Sequence, residues 1–184
     1  MASSTPASTQ RTDHVAVTIR PATIDDIEAF VTMKNDAWRW AYAGILPDEH
    51  LAGLTVQEQA DGWRQAFVER HDPGVVLALD GQRVVGVASF GPTRDADAPG
   101  QTGEIGMLYV APDHIDTGLG RRLLGEALGN LGRAGFARAT LWVLEANARG
   151  RGFYEHMGWR PDGTRSTHMV ECANFPLLRY AVDL

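Results

Sequence analysis

The feature of this sequence that most constrains its fold is a pair of apolar, β-branched runs in VVLALDGQRVVGVASF, residues 75–90. Asp80-Gly81-Gln82 separates the two runs. A short Asp-Gly connection between such runs is a strong signal for a β-hairpin, because glycine adopts the positive φ that tight turns need. Hairpin strands are antiparallel, so the sheet that contains them is not a fully parallel, doubly wound one.

Strand and helix patterns alternate along the rest of the chain. Thr23 with Asp26, and Thr55 with Glu58, have the spacing of residues that cap a helix N-terminus. The predicted elements are a strand ending at Arg20-Pro21, a helix from Thr23 to Gly44, a helix from Thr55, the hairpin, a strand over 103–111, a helix from Leu119 to Gly135, a strand over 139–144, a short helix from Asn147 to Gly158, and two strands between Trp159 and Leu184. This order predicts one α/β domain, α+β in some schemes, with a mixed sheet.

The charge and cysteine content of the chain argue against some classes of binding partner and against an internal disulfide. The chain has 184 residues, with 17 Lys and Arg against 23 Asp and Glu, which gives a formal net charge of −6. Binding to nucleic acid or to an anionic membrane depends on clustered basic residues, so this balance favours a small-molecule partner. Cys172 is the single cysteine and cannot form an internal disulfide.

The composition of the first fourteen residues predicts a disordered tail. Residues 1–14 are rich in Ser and Thr and carry few apolar side chains, so burial cannot offset the entropy of ordering them. The folded domain is therefore expected over residues 15–184. No apolar run approaches the roughly 18 to 20 residues of a membrane helix, and the cytoplasm is the expected compartment.

The stretch LYVAPDHIDTGLGRRLL, residues 108–124, runs from a strand through a loop into a glycine-rich helix start. The first N–H groups of a helix have no intrahelical partner and carry partial positive charge, which favours an anion such as a pyrophosphate. Gly118 and Gly120 lack the Cβ atoms that would keep such a ligand from the backbone. An alternative interpretation is that these glycines only permit tight packing.

Other nucleotide, metal and nucleophile motifs do not fit. A P-loop sequence is absent, and a dinucleotide-binding fingerprint would have glycine where this chain has Leu123. The histidines and the cysteine lack metal-ligand spacing, so no metal site is expected. The nucleophile-elbow motif is also absent, and Ser89 in VASFG is interpreted as a strand residue.

A second motif makes the pattern specific. LYVAPxxxxxGLGRRLL is followed by LEANARGRGFYEHMGW, residues 144–159, and together they resemble the GCN5-related N-acetyltransferase (GNAT) superfamily. IRPATIDDIEAF and AWRWAYAGILPD extend this similarity more weakly. The resemblance implies a mostly antiparallel sheet of seven strands with about four helices. It also implies that acetyl-CoA lies between two central parallel strands that splay apart.

The resemblance also implies roles for particular residues. Backbone amides would hold the pyrophosphate along one continuous segment: Ile115, Asp116, Thr117, Gly118, Leu119, Gly120 and Arg121. The Leu108 N–H would polarise the thioester carbonyl, and the Val110 backbone and the Asn147 side chain would contact the pantetheine. Tyr154 would protonate the departing thiolate, although packing with Phe153 is its alternative role.

Two features depart from the family pattern. The family usually has Gln or Arg before the first glycine, where this chain has Ile115, Asp116 and Thr117. The Asp116 carboxylate is unfavourable beside a pyrophosphate, and Arg121 and Arg122 are expected to compensate. Gly150 and Gly152 interrupt a predicted helix, which either close approach of the cofactor or fraying explains. Both departures from the family pattern affect the affinity that is expected for acetyl-CoA.

Glu104 matches the family position of a general base, acting directly or through water. It lies four residues before Leu108, and this even spacing predicts that both side chains share a face of the strand. The alternative is an exposed carboxylate at a strand end, with ordered water taking the proton. His168 and Glu171 are reserve candidates. The aromatic side chains of WRWAY are candidates for an acceptor pocket or for the core: Trp38, Trp40 and Tyr42.

These observations predict direct transfer of acetyl from acetyl-CoA to a primary amine of a small molecule or peptide, with Cys172 uninvolved. The alternatives are a catalytically silent acyl-CoA-binding or regulatory module of the same fold, and a transferase for a larger acyl group. The acceptor is expected to contact residues 43–54 and 171–175. A homodimer is possible at the level of the family.

Overall fold

The computed structural model describes residues 16–69, 74–170 and 173–184. These ranges form seven strands and five α-helices. The strands are β1 (Thr18–Pro21), β2 (Val75–Asp80), β3 (Arg83–Pro92), β4 (Thr102–Val110), β5 (Arg138–Leu144), β6 (Arg160–Val170) and β7 (Ala173–Asp183). The helices are α1 (Ile27–Ala41), α2 (Asp48–Ala52), α3 (Val56–Glu69), α4 (Leu119–Arg133) and α5 (Ala148–His156). The predicted tail, Glu171 and Cys172 lie outside the described residues.

The strands form one mixed sheet in the order β1-β2-β3-β4-β5-β7-β6. Neighbouring strands are antiparallel except for the parallel pair of β4 and β5. The predicted hairpin is confirmed as β2 and β3, where Asp80 pairs with Arg83 and Gly81 has φ 60°. The mixed α/β class and the seven-stranded sheet are likewise confirmed. Helix α2 is additional to the four predicted helices.

The helices cover the two faces of the sheet. A methyl group placed on Gly86 would lie 2.6 Å from Leu123 Cδ1 in α4, so Gly86 faces α4. Val110 pairs with Gly86 and shares this face. Its neighbour Tyr109 faces the other way and contacts Trp38 of α1, with ring centroids 6.2 Å apart. Helix α4 therefore covers one face, and α1 covers the other.

Strand β4 contains a bulge. Ser89 pairs with Met107, whereas the next residue of β3, Phe90, pairs with Ile105. Gly106 is consequently one extra residue on β4. An extra residue of this kind reverses the alternation of side chains between the two faces of a strand.

The bulge changes which face each side chain of β4 occupies. A methyl group on Gly103 would lie 2.7 Å from Leu131 Cδ2 in α4, so the adjacent Glu104 faces the α1 side. Leu108, beyond the bulge, shares the α4 face with Val110. The prediction that Glu104 and Leu108 share a face is therefore wrong, because even spacing places residues together only on an uninterrupted strand.

The parallel pairing of β4 and β5 is short. It consists of Thr102 with Arg138, Gly103 with Ala139, and Glu104 with Thr140. Both strands continue beyond the last pair, β4 to Val110 and β5 to Leu144. The strands therefore separate in the middle of the sheet, which is the predicted splay.

Candidate active site

A cavity of about 680 Å³ lies where β4 and β5 separate. Its walls come from residues 105–110 of β4 and 141–143 of β5. The loop before α4, the first turns of α5 and the end of α1 complete it. Elements that are far apart in sequence therefore lie together around the gap in the sheet and line the cavity.

The free edge of β4 faces this cavity. The Ala111 N–H donates to Val85 O over 2.9 Å, and bonded pairs alternate along an antiparallel ladder. Tyr109 is thus bonded to β3, whereas the N–H and C=O groups of Leu108 and Val110 point away from β3 toward the gap. Since the pairing with β5 ends at Glu104, these groups are available to an extended ligand.

The loop before α4 directs a helix N-terminus into the cavity. Asp116 has φ 63° and Gly118 has φ 83°, both in the left-handed region. The first helical bond runs from the Arg122 N–H to Gly118 O over 3.2 Å, and no side chain caps the helix. Across the described residues, no partner is seen for the N–H groups of Leu119 and Gly120, which accords with the general rule for a first helical turn.

The two glycines of this loop are not explained by tight packing. A methyl group on Gly118 would meet no atom within 4 Å, so its positive φ is the constraint at that position. A methyl group on Gly120 would lie 3.6 Å from the Phe153 ring, which is an ordinary contact. The approach to the helix N-terminus is therefore open, as an anion site requires.

Asp116 is neutralised by a residue that the sequence did not single out. Arg149 Nη2 lies 2.7 Å from Asp116 Oδ1, and the Arg149 guanidinium stacks over the Trp40 ring at 5.1 Å. Arg122, which was expected to compensate, instead donates to Val17 O over 2.8 Å. Arg121 does line the cavity. The compensating cations are therefore Arg149 and Arg121, because α5 packs beside the loop.

Asn147 lies in the cavity wall at the start of α5. Its Oδ1 accepts a hydrogen bond of 2.9 Å from the Gly150 N–H and caps the helix. A methyl group on Gly150 would lie 2.7 Å from Asn147 Nδ2, so this glycine is required by the cap. Gly152, by contrast, faces open space.

Tyr154 lines the cavity from α5. Its ring packs edge-on against Phe153 at 5.2 Å and against Trp159 at 6.0 Å, so it is also part of the core. Burial, together with the nearby Tyr42 hydroxyl, raises the pKa of Tyr154 above its ordinary value. The phenol is therefore protonated at neutral pH and is a proton donor.

Glu104 lies beside the gap but outside the cavity wall, with 5% of its surface exposed. Its carboxylate accepts hydrogen bonds from the Arg94 backbone N–H at 3.1 Å and from Arg94 Nη2 at 2.5 Å. It is thus on the α1 face, anchored by the loop that follows β3.

An arginine of β7 holds the same loop, and the sequence analysis did not identify it. The Arg179 side chain is 6% exposed and donates to Asp95, Asp97 and Asp162 at 2.7–3.1 Å. Asp95 also accepts from Trp142 Nε1 at 3.1 Å, and Trp142 lines the cavity. A charged residue within the apolar strand sequence NFPLLRYAV was the available signal, because arginine is rarely buried without partners.

An aromatic cluster lies on the α1 face. The Trp38 ring packs against Tyr42 at 5.1 Å and His168 at 6.4 Å, behind the cavity wall. Tyr42 and Trp40 belong to the wall itself, so the WRWAY aromatics are divided between core and cavity. Burial raises the pKa of Tyr42, and it raises that of Tyr109 further.

The two predicted acceptor segments meet beside this cluster. Leu46 and Leu51 pack in one apolar cluster with Val170 and Phe175. The end of β6 and the start of β7 therefore contact the region that follows α1. The reserve candidate Glu171 lies outside the described residues.

An elongated ligand with an anionic end and an amide-bearing arm fits these features. The open helix N-terminus with Arg121 suits the anion, and the free edge of β4 suits the arm. Fold and site together define the class of acyltransferases that take their acyl group from a coenzyme A thioester. The chain belongs to the acetyltransferase (GNAT) family, whose model matches residues 31–159.

Individual relatives agree with this assignment. The chain is 34% identical over 132 residues to the uncharacterized N-acetyltransferase YuaI of Bacillus subtilis, covering 71% of this chain and 73% of that protein. It is 22% identical over 166 residues to a spermidine N(1)-acetyltransferase of Thermoplasma acidophilum, covering 85% and 96%. The crystal structure of PaiA N-acetyltransferase from Thermoplasma acidophilum, in complex with coenzyme A, superimposes with a TM-score of 0.73. Sequence identity there is 20%, and the match covers 92% of this chain and 99% of that one.

Among the helices of the described ranges, none is both long and apolar enough to span a bilayer.

Proposed function

We propose that the protein transfers the acetyl group of acetyl-CoA directly to the primary amine of a small molecule or peptide. The observation that carries this proposal is the gap between β4 and β5, into which Leu108 and Val110 direct their backbone groups. An extended pantetheine arm can bond to such an edge as an additional strand would. The cytoplasm is the proposed compartment, in agreement with the single cysteine.

The anionic end of the cosubstrate is assigned to the loop before α4. The segment 115–121 presents a helix N-terminus with free N–H groups, and Arg121 lies beside it. The pair of Asp116 with Arg149 offsets part of the repulsion that an unpaired carboxylate would cause. Asn147 is assigned to the pantetheine, because it lines the cavity and its Oδ1 serves the helix cap, which leaves Nδ2 as the donor of this side chain.

The proposed chemistry uses three groups of this chain: the Leu108 N–H, the Tyr154 hydroxyl and the Glu104 carboxylate. Acetyl-CoA supplies an acyl carbon that is activated as a thioester. The Leu108 N–H, which points into the gap, donates to the acyl oxygen and stabilises the negative charge that develops there. The Tyr154 hydroxyl retains its proton and gives it to the departing sulfur.

We assign Glu104 the role of general base, which accepts the proton that the acceptor amine loses. It lies on the α1 face where the strands part, and Arg94 anchors its carboxylate away from the cavity wall. We therefore assign it an action through a water molecule rather than by direct contact. This arrangement makes its contribution smaller than that of Tyr154.

Calorimetry with acetyl-CoA combined with a thiol-release assay over a panel of amines tests the proposal. Binding together with amine-dependent release of coenzyme A is expected, with the acetylated amine confirmed by mass spectrometry. Binding without thiol release from any amine would identify a silent acyl-CoA-binding module. Faster release from succinyl-CoA than from acetyl-CoA would identify a transferase for a larger acyl group.

A further inference from the structure

The part of the cavity beside α1 carries aromatic and apolar side chains. It lies on the α1 face, opposite the face covered by α4. Its wall consists of aromatic side chains, a methionine and two alanines: Ala37, Trp40, Ala41, Tyr42, Met107 and Tyr109. Ala37 and Ala41 are one helical turn apart and both line the cavity, so the wall has small side chains here between larger ones; we call this position the recess.

Three carboxylates of the described residues near the cavity are already paired. Asp116 is bound by Arg149, and Glu104 is bound by Arg94. Asp95 is bound by Arg179. A polyamine carries several positive charges and needs several carboxylates to replace its hydration, which these paired groups do not supply.

The tyrosines of the recess are neutral hydrogen-bonding groups. Burial raises the pKa of both Tyr42 and Tyr109, so neither phenol is ionised at neutral pH. The aromatic faces attract one ammonium group, and they also pack against an aromatic ring in edge-to-face geometry.

The Lys34 side chain places an amine beside the aromatic cluster of Trp38 and Tyr42. Lys34 is the only lysine of the chain, and its Nζ lies 5.0 Å from the centroid of the Trp38 ring. Burial lowers the pKa of this amine to about 8. Transfer of any amine from water to an apolar site lowers its pKa in the same direction, and the neutral amine is the form that attacks a thioester.

We infer that the acceptor is a hydrophobic primary monoamine of the arylalkylamine class, with its ring in the recess of Ala37 and Ala41 and its amine beside Tyr42 and Tyr109. This inference rests on the proposed acetyltransferase function. It sets the chain apart from its relative that is named for spermidine, with which it shares 22% identity.

The test compares initial rates of thiol release at saturating acetyl-CoA with phenethylamine, hexylamine and spermidine. We expect kcat/KM for phenethylamine to exceed that for spermidine at least tenfold, with hexylamine between them. Spermidine equal to or better than phenethylamine overturns the inference and leaves the acetyltransferase function intact. Absence of thiol release with every amine overturns both.

Ala41→Leu tests the recess itself. The added carbons occupy the proposed position of the ring, so KM for phenethylamine should rise at least tenfold while the Kd of acetyl-CoA stays within twofold. Ala29→Leu, the same change at an exposed position of α1, is the matched control and should alter neither value. Equal effects of the two substitutions on KM would contradict the assigned recess.

Discussion

The two ends of the cavity are constructed from different parts of the chain. At the cosubstrate end, the binding groups are mainly backbone N–H and C=O groups of β4 and of the first turn of α4. At the acceptor end, the wall consists of side chains from α1 and from β4 beyond its bulge. Binding by backbone groups depends on the conformation of the chain and tolerates many different side chains. Binding by side chains changes its specificity with each substitution. This contrast explains how one fold can keep a cosubstrate while its acceptors differ.

The largest predicted effect concerns the support of the acceptor end. Arg179→Met leaves Asp95 and Asp162 without their buried cation, so the free energy of unfolding should fall by about 3 to 5 kcal/mol. Urea unfolding at neutral pH measures this loss. Arg165→Met removes an exposed pair with Glu145 and should cost less than about 1 kcal/mol. Losses of similar size in the two variants would show that the Arg179 cluster does not hold this region together.

Tyr154→Phe should affect the chemical step more than binding. We expect kcat to fall about a hundredfold, because protonation of the leaving group is lost, while the Kd of acetyl-CoA changes less than threefold. Steady-state kinetics and calorimetry provide the two values. Unchanged kcat would reduce Tyr154 to its packing role with Phe153 and Trp159.

The pH profile sharpens the same assignment. Since burial raises the pKa of Tyr154 above its ordinary value of 10.0, its proton should remain in place as the pH rises to that value. The profile of kcat should therefore show no descending limb from this phenol below pH 10. A limb below pH 10 that disappears in Tyr154→Phe would contradict the raised pKa.

Gly118→Val tests the cosubstrate end through conformation alone. Valine is strained at φ 83°, so the helix N-terminus should move and the Kd of acetyl-CoA should rise about tenfold, equivalent to about 1.4 kcal/mol. Gly118→Asn is the control, because asparagine tolerates the left-handed region and should retain near-normal affinity. Equal losses of affinity in both variants would indicate that any side chain at position 118 impairs binding, and that the strained backbone conformation is not the cause.

Glu104→Gln should have the smallest of these effects. Arg94 anchors the carboxylate outside the cavity wall, so we expect kcat/KM to fall by roughly fivefold, less than the factor of about a hundred typical of a direct general base. The measurement is kcat/KM for the preferred amine across pH. A hundredfold loss would show that Glu104 contacts the amine directly.

The backbone geometry of the cosubstrate end could be anticipated from the sequence, because the motifs that carry the family resemblance are local. The strand, loop and glycine-rich helix start are contiguous in residues 108–124, and the second motif follows within the same half of the chain. The resemblance implied the splay and the roles of Leu108 and Val110; the structure shows the splay and the direction of these backbone groups, and their binding to the cosubstrate stays a prediction. Backbone conformation is a local property, so short motifs carry it well.

The acceptor end depends on long-range contacts that no local pattern carries. The bulge at Gly106 is one unpaired residue, and it reversed the predicted relation between Glu104 and Leu108. Arg179 reaches Asp95 across 84 positions, and even at the cosubstrate end Arg149 reaches Asp116 across 33. Such partners are fixed only when the sheet order is known. The sequence therefore predicted the class of reaction better than the surroundings of the acceptor.

The central claim is that the cosubstrate arm binds to the free edge of β4, and amide hydrogen exchange resolved by NMR tests it most directly. Addition of acetyl-CoA should slow exchange at Leu108 and Val110, whose N–H groups point into the gap, and leave Tyr109 unchanged, because its N–H is already bonded within the sheet. Unaltered exchange at Leu108 and Val110 in the saturated complex would show that the arm binds elsewhere.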